Sequence, residues 1–466
     1  MNSKDGTTAS RRAFLKRAST LSLAGIAAPW ALNLAAMAEA SAANATDYKA
    51  LVCVFLYGGN DYANTLVPYD SASYAQYQAA RPSFAYARAS LDATALTPDA
   101  APRDSAGFAH QYALAPELSA LLPLFNAGKL GVMLNIGTLI QPTTKQQYAN
   151  KSARLPPKLF SHNDQQSVWQ SSSPEGATSG WGGRMGDLFQ AANTNAAFTC
   201  VNVSGNAVYL SGNTAVQYQV STNGSIPLSG LKSPLFGSSA ASTALRTLIT
   251  EARTNLLENE YNRVSKRSIE ANDVLTVALA ATPALTTTFP VGNSLADQLK
   301  MVARMIAAAP ALGTKRQVFF VSLGGFDNHD GMLTDHPLLM SKVGAALSTF
   351  YAATTELNVA DQVTAFTASD FGRTLTGNAN GSDHGWGSMH FVLGGAVNGK
   401  RFYGTAPAVA SGGPDDVGQG RLLPTTSVEQ LAATLGKWLG VSDSELLTLL
   451  PNLTNYNSSV RNLGFV

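Results

Sequence analysis

Four apolar, β-rich runs constrain the fold of this chain more than any other feature. They read Ala50 to Leu56, Leu130 to Ile136, Gln317 to Leu323 and Val363 to Ala368. A strand with one wet face alternates apolar and polar residues. These runs are continuous, as strands buried on both faces are. Helical periodicity fills the intervals, at Leu114 to Phe125, Gly182 to Ala191, Ala241 to Ala271, Leu295 to Ala309 and Pro337 to Leu357. Thr199 to Val203 and His390 to Leu393 read as further strands. Thr426-Ser427-Val428-Glu429 is a capping box that opens a helix to Trp438. Strands alternating with helices predict an α/β fold, a three-layer α/β/α sandwich around a mainly parallel sheet. Residues 46–466 are expected to form one domain, with a Ser/Gly-rich insertion near 204–240.

Sheets of this kind bind ligands beyond the carboxyl ends of their strands. Three of the runs end in a turn that carries an aspartate: Asp61, Asp327 and Asp370. Histidines cluster with carboxylates in Ser161-His162-Asn163-Asp164, in Asp327-Asn328-His329-Asp330 and in Asp383-His384. Imidazole and carboxylate together suit a divalent ion such as zinc or manganese. Two such ions side by side would clamp an in-line displacement at phosphorus or sulfur. The bland alternative is a set of turns in which Asp and Asn bond their own backbone.

Ser161 admits two readings, a nucleophile activated by a neighbouring group or an N-cap for the segment 163–170. Arg373, three residues after Asp370, either holds a phosphate or sulfate oxyanion or forms a salt bridge with Asp370. Trp169, Trp181 and Trp386 lie beside the polar clusters and read as packing residues. A dinucleotide fingerprint, a P-loop lysine and a Gly-x-Ser-x-Gly elbow are all missing from the sequence.

The amino-terminal segment has the layout of an export signal. Arg11-Arg12 precede an apolar stretch from Ala18 to Ala36, and Ala38-Glu39-Ala40 and Ala43-Asn44-Ala45 offer cleavage sites. Residues 1–45 are therefore expected to be a twin-arginine signal, with the Tat translocase as partner during export and a periplasmic or secreted destination. Residues 1–40 hold five basic and two acidic residues, so removing them takes the net charge from +2 to about −1. Neither nucleic acid nor a stable membrane span is expected. Cys53 and Cys200 could pair after export or remain buried thiols.

Taken together, several motifs carry a family resemblance. They are Phe55-Leu56-Tyr57-Gly58-Gly59-Asn60-Asp61, Ser161-His162 with Trp169-Gln170, Gly324-Gly325-Phe326-Asp327-x-His329, Ser369-Asp370-Phe371-Gly372-Arg373-Thr374 and Asp383-His384-Gly385. The chain resembles the bacterial domain-of-unknown-function family 1501, which is grouped with the alkaline phosphatase and sulfatase superfamily. The resemblance implies an alkaline phosphatase-like fold with two divalent ions, of zinc, manganese, calcium or magnesium. It implies Asp61 as the first-strand ligand, Asp327 and His329 as ligands of the other ion, Asp370 and His384 as later ligands with Asp383 assisting, and Ser161 as nucleophile. The expected activity is hydrolysis of phosphate or sulfate esters on a small molecule or polymer. The alternative is a non-catalytic periplasmic or surface binding protein that keeps the fold. Asn163 stands where members carry Phe, and Asp370 where they carry Glu.

Overall fold

The structure, a computed structural model, describes residues 45–378 and 380–466. The expected signal, apart from Ala45, lies outside the described residues. Thirteen strands are named here in chain order: β1 (Lys49–Leu56), β2 (Leu66–Pro68), β3 (Tyr112–Leu114), β4 (Leu130–Gly137), β5 (Cys200–Asn202), β6 (Tyr218–Gln219), β7 (Arg316–Leu323), β8 (Val363–Ser369), β9 (Arg373–Gly377), β10 (Ser382–His384), β11 (Ser388–Gly394), β12 (Phe402–Tyr403) and β13 (Thr426–Ser427). The main sheet runs β12-β4-β11-β8-β1-β7-β5-β6, with β13 also on β4. Its pairs are parallel except where β11 meets β4 and β8.

The principal helices are α1 (Ser71–Ala80), α2 (His162–Ser171), α3 (Trp181–Phe189), α4 (Ser239–Thr250), α5 (Leu256–Ala281), α6 (Ser294–Ala307), α7 (Met332–Glu356), α8 (Val428–Leu439) and α9 (Asp443–Leu449). Along β1, Ala50, Val52, Val54 and Leu56 face one core with Leu299, Val302 and Ile306 of α6 and Val343 and Leu347 of α7. Leu51, Cys53 and Phe55 face the other, with Met185 and Leu188 of α3, Leu431 and Leu435 of α8 and Leu446 of α9. A strand sends alternate side chains to opposite faces, so a continuous apolar run requires this covering on both sides. The three-layer α/β/α sandwich follows.

Three local expectations change. The stretch from Leu114 to Phe125 is the end of β3, a 3-10 turn at Pro116–Leu121 and a short helix at Leu122–Asn126. Pro116 and Pro123 withhold the backbone donors a single helix needs. The pattern from Ala241 to Ala271 breaks between α4 and α5, where Asn255 Oδ1 accepts from the backbone of Leu257 and Glu258 and caps a new helix. Residues 204–240 are not all surface insertion: they supply edge strand β6 and the buried Tyr209, Leu210 and Val220. Asp187 holds this segment by accepting from the backbone of Asn213, Thr214 and Ala215. Of the two states left open for the cysteines, the structure has the buried free thiols at Cys53 and Cys200. They stand on β1 and β5, which flank β7. Two strand spacings, roughly 9–10 Å, exceed the reach of a disulfide.

Candidate metal centre

The strand register brings the aspartate turns to one edge. Leu56 of β1 pairs with Leu323 of β7 on one side and with Ser369 of β8 on the other, so three neighbouring parallel strands end level. Gly58 has φ +118, and a Cβ there would stand 2.3 Å from the Asp327 nitrogen. Glycine is required for this close approach of the two turns. At Gly59, φ +88, a Cβ would meet the Phe371 ring at 2.5 Å.

At this edge His329 Nε2, His384 Nε2 and Asp327 Oδ1 form a near-equilateral triangle, with sides of 2.9, 3.1 and 3.1 Å. His162 Nε2 lies 3.3 Å from the other oxygen of Asp327. One ligand atom from each of His162, Asp327 and His384 falls within 4.8 Å of the others.

The far side of each ring decides what these nitrogens are. His384 Nδ1 is 2.7 Å from the Phe160 carbonyl, which can only accept, so Nδ1 carries the proton and Nε2 is bare. His329 Nδ1 faces Asp383 Oδ1 at 3.2 Å, and His162 Nδ1 faces Asp370 Oδ2 at 2.7 Å. Both rings also face Asp327 through Nε2, at 3.1 Å for His329 and 3.3 Å for His162, so each stands between two carboxylates and presents an Nε2 lone pair when its proton lies on the outer side. His162 Nε2 is buried without a hydrogen-bond partner. His329 and His384 thus meet at one oxygen of Asp327 while His162 reaches the other, and a cation can take up the lone pairs gathered there. The outward contacts to a carboxylate or carbonyl are those that metal-binding histidines make. Ligands about 2.1 Å from one ion stand roughly 3.0 Å apart at neighbouring octahedral positions and roughly 3.4 Å apart at tetrahedral ones. The triangle's sides lie close to the octahedral spacing, so the residues present suit a divalent ion.

Electrostatics follow the same contacts. The hydrogen bond to Asp370 holds the His162 imidazole above its usual 6.5, against burial, with the charges of Asp370 and Asp327 adding to it. Burial pushes His384 the other way. Burial would raise the Asp327 carboxyl, but the hydrogen bond and charge of Arg373, with His162 and His329 beside it, hold it below the usual value.

The remaining expected residues stand around this centre rather than in it. Asp383 touches His329. Asp370 is buried, with Oδ2 taken by His162 and Gln166 and Oδ1 without a partner. Arg373 is wholly buried and donates to Asp327 Oδ1 (2.5 Å), the Gly58 carbonyl, and the hydroxyl and carbonyl of Ser382. Four of its five N–H groups are given to the protein and it supports Asp327; its ion-pair partner is Asp327, not Asp370. Ser161 occupies the N-cap position of α2 without making the capping bond, and its hydroxyl donates to Asp164 Oδ2 at 3.1 Å.

Asp61 departs furthest from expectation. Its two oxygens accept from Arg81 at 2.9 and 2.8 Å in an ion pair with both side chains buried. Burial would raise the Asp61 carboxyl, but the charge of Arg81 holds it low. Sequence reasoning missed Arg81 altogether, and it placed His162 in a histidine–carboxylate cluster without naming it as a ligand. The signal for His162 was present, a histidine in a Ser-His-Asn-Asp cluster. Arg81 gave none, because its partner lies 20 positions away.

Residues 48–452 match the family model described as Protein of unknown function (DUF1501). None of the curated proteins compared matches the chain. Among solved structures, Ps i-CgsB in complex with k-i-k-neocarrahexaose aligns at 10% identity and TM-score 0.35, over 88% of this chain and 77% of that one. The lipoteichoic acid synthase LtaP from Listeria monocytogenes aligns at 8% and 0.33, over 85% and 72%. The PsFucS1 sulfatase from Pseudoalteromonas sp. aligns at 11% and 0.32, over 88% and 72%. Likenesses of this strength decide neither fold nor chemistry, which rest on this chain's own sheet order and side chains. The family match covers most of the chain, and the chain belongs to the DUF1501 family.

Proposed function

Proceeding from that membership, we propose that the chain is an exported, metal-dependent hydrolase of phosphate or sulfate esters, with residues 46–466 as its working domain. The observation that carries the reading is the approach of the Nε2 atoms of His162, His329 and His384 to the two oxygens of Asp327. Those four side chains would hold the ion. Three imidazoles to one carboxylate favour zinc or a similar transition ion over calcium or magnesium. When bound, the ion supplies Lewis-acid polarisation of an ester oxygen.

The chain's own groups keep the centre in order. Asp370, Asp383 and the Phe160 carbonyl turn the three rings so that Nε2 faces inward. Arg373 holds Asp327 in place. Ser161, one residue before His162 at the amino end of α2, is the proposed nucleophile. Its proton points at Asp164 Oδ2, the atom placed to receive it. The Tat route carries the folded protein to the periplasm or beyond. Among the described residues no helix is long and apolar enough to cross a membrane.

One observation favours the second reading, a metal-bearing binding protein without catalysis: Arg373 is buried with its donors directed at protein acceptors. Assays on phosphate and sulfate esters separate the two. The hydrolase loses activity on chelation, regains it with zinc, and falls by orders of magnitude as Ser161→Ala. A metal-loaded protein inactive on both ester classes supports the binding protein instead.

A further inference from the structure

The buried pair Asp61–Arg81 closes the position that the family resemblance reserves for a second ion. A carboxylate offers about four lone-pair sites. Asp61 accepts from four donors: Arg81 Nη1 and the Asn64 nitrogen on Oδ1, and Arg81 Nη2 and the Ser382 hydroxyl on Oδ2. Arg81 is equally committed. Its five N–H groups go to Asp61 Oδ1, Asp61 Oδ2, Asn64 Oδ1, the Thr374 carbonyl and the Leu375 carbonyl, at 2.7 to 3.0 Å. Asn64 Oδ1 is itself fixed by the Tyr77 hydroxyl at 2.8 Å. Neither Asp61 nor Arg81 is more than 1% exposed.

Asp370, the other carboxylate at this end of β8, keeps a single oxygen without a partner. One oxygen is too few to hold an ion that takes at least four ligands. We infer that Arg81 is a fixed guanidinium cation standing in for the second metal, and that this chain takes one ion, at Asp327, His162, His329 and His384. The inference rests on the metal reading above and narrows it. A fixed cation cannot leave with a chelator, so the charge that Arg81 brings to the strand ends is independent of metal supply.

The test is metal stoichiometry on the full chain, loaded with zinc, freed of excess and measured by mass spectrometry. Two proteins are compared: wild type, and the double variant Asp61→Asn with Arg81→Met, which removes both buried charges together. The account gives about one ion per chain in both, with zinc affinity within about threefold of each other. About two ions in wild type, falling to one in the double variant, would overturn the inference and leave the metal reading standing. No ion in either protein overturns the metal reading itself. Should the double variant fail to fold, the wild-type ratio together with Asp61→Asn decides between the same outcomes.

Discussion

His329 and His384 face each other through their Nε2 atoms at 2.9 Å, with Nδ1 of each ring turned the other way, toward Asp383 and the Phe160 carbonyl. With both protons on the outer nitrogens, a cation between the two rings and the Asp327 carboxylate stabilises this arrangement.

Asp383 orients His329 without reaching the ion. Asp383→Ala is expected to weaken zinc binding about 10- to 100-fold, the usual loss when an outer partner of a ligating histidine is removed. Asp383 is half exposed, so the melting temperature of the metal-free protein should barely move. Competition against a chelator of known affinity measures the first effect, and calorimetry the second. Equal zinc affinity in the variant would remove Asp383 from the centre.

Arg81→Met alone leaves Asp61 buried and unpaired, with an expected cost of about 3–5 kcal/mol. Adding Asp61→Asn should recover most of that loss, because an uncompensated charge is the expensive state. Denaturant unfolding of the metal-free single and double variants measures both. A single variant as stable as wild type would show that the pair does not hold this end of the sheet.

His336 and His390 are buried, and burial lowers their pKa from 6.5 to about 4 and about 3. Above 6.5 both rings are neutral in the folded and unfolded chain, and they contribute no slope. Below 6.5 the unfolded chain takes up protons that the folded protein refuses. Stability therefore falls as pH drops from about 6.5 toward 4, by a few kcal/mol for the two together. Unfolding curves at pH 7 and pH 4.5 read the loss, and the pair His336→Gln with His390→Gln should flatten it. An unchanged slope in that double variant would assign the acid loss elsewhere.

Gly58→Ala tests how the two glycine turns set the site. The residue has φ +118, and its added Cβ would sit 2.3 Å from the Asp327 nitrogen. Backbone strain of about 1–3 kcal/mol is expected, with a displaced Asp327. Thermal stability and zinc affinity should fall together. Loss of stability with affinity intact would mean that the turn shapes the fold but not the centre.

The scaffold was legible because strand burial leaves a mark in composition. Ala50 to Leu56 and Gln317 to Leu323 are apolar at nearly every position, and both run in parallel at the centre of the sheet. Asp327, His329 and His384 were legible as polar residues clustered after strands, and the fold joins them. What escaped was pairing across the chain. Arg81 follows α1 in a stretch with no local signal, and only tertiary packing sets it on Asp61. Arg373 was visible as a cation near carboxylates, but its acceptors are the Asp327 carboxylate and the Gly58 and Ser382 carbonyls, which tertiary packing brings to it and no spacing encodes. Helix ends were blurred for a related reason: Asn255 ends one helical pattern and opens the next through its side chain.

The central claim is a divalent ion held by His162, Asp327, His329 and His384. Anomalous diffraction from crystals of the zinc-loaded protein, collected on both sides of the zinc edge, tests it most directly. The account predicts one strong anomalous peak between the Nε2 atoms of His329 and His384 and the Asp327 carboxylate, absent in Asp327→Ala. A zinc-loaded crystal with no peak there, or with its peak on other residues, would contradict it.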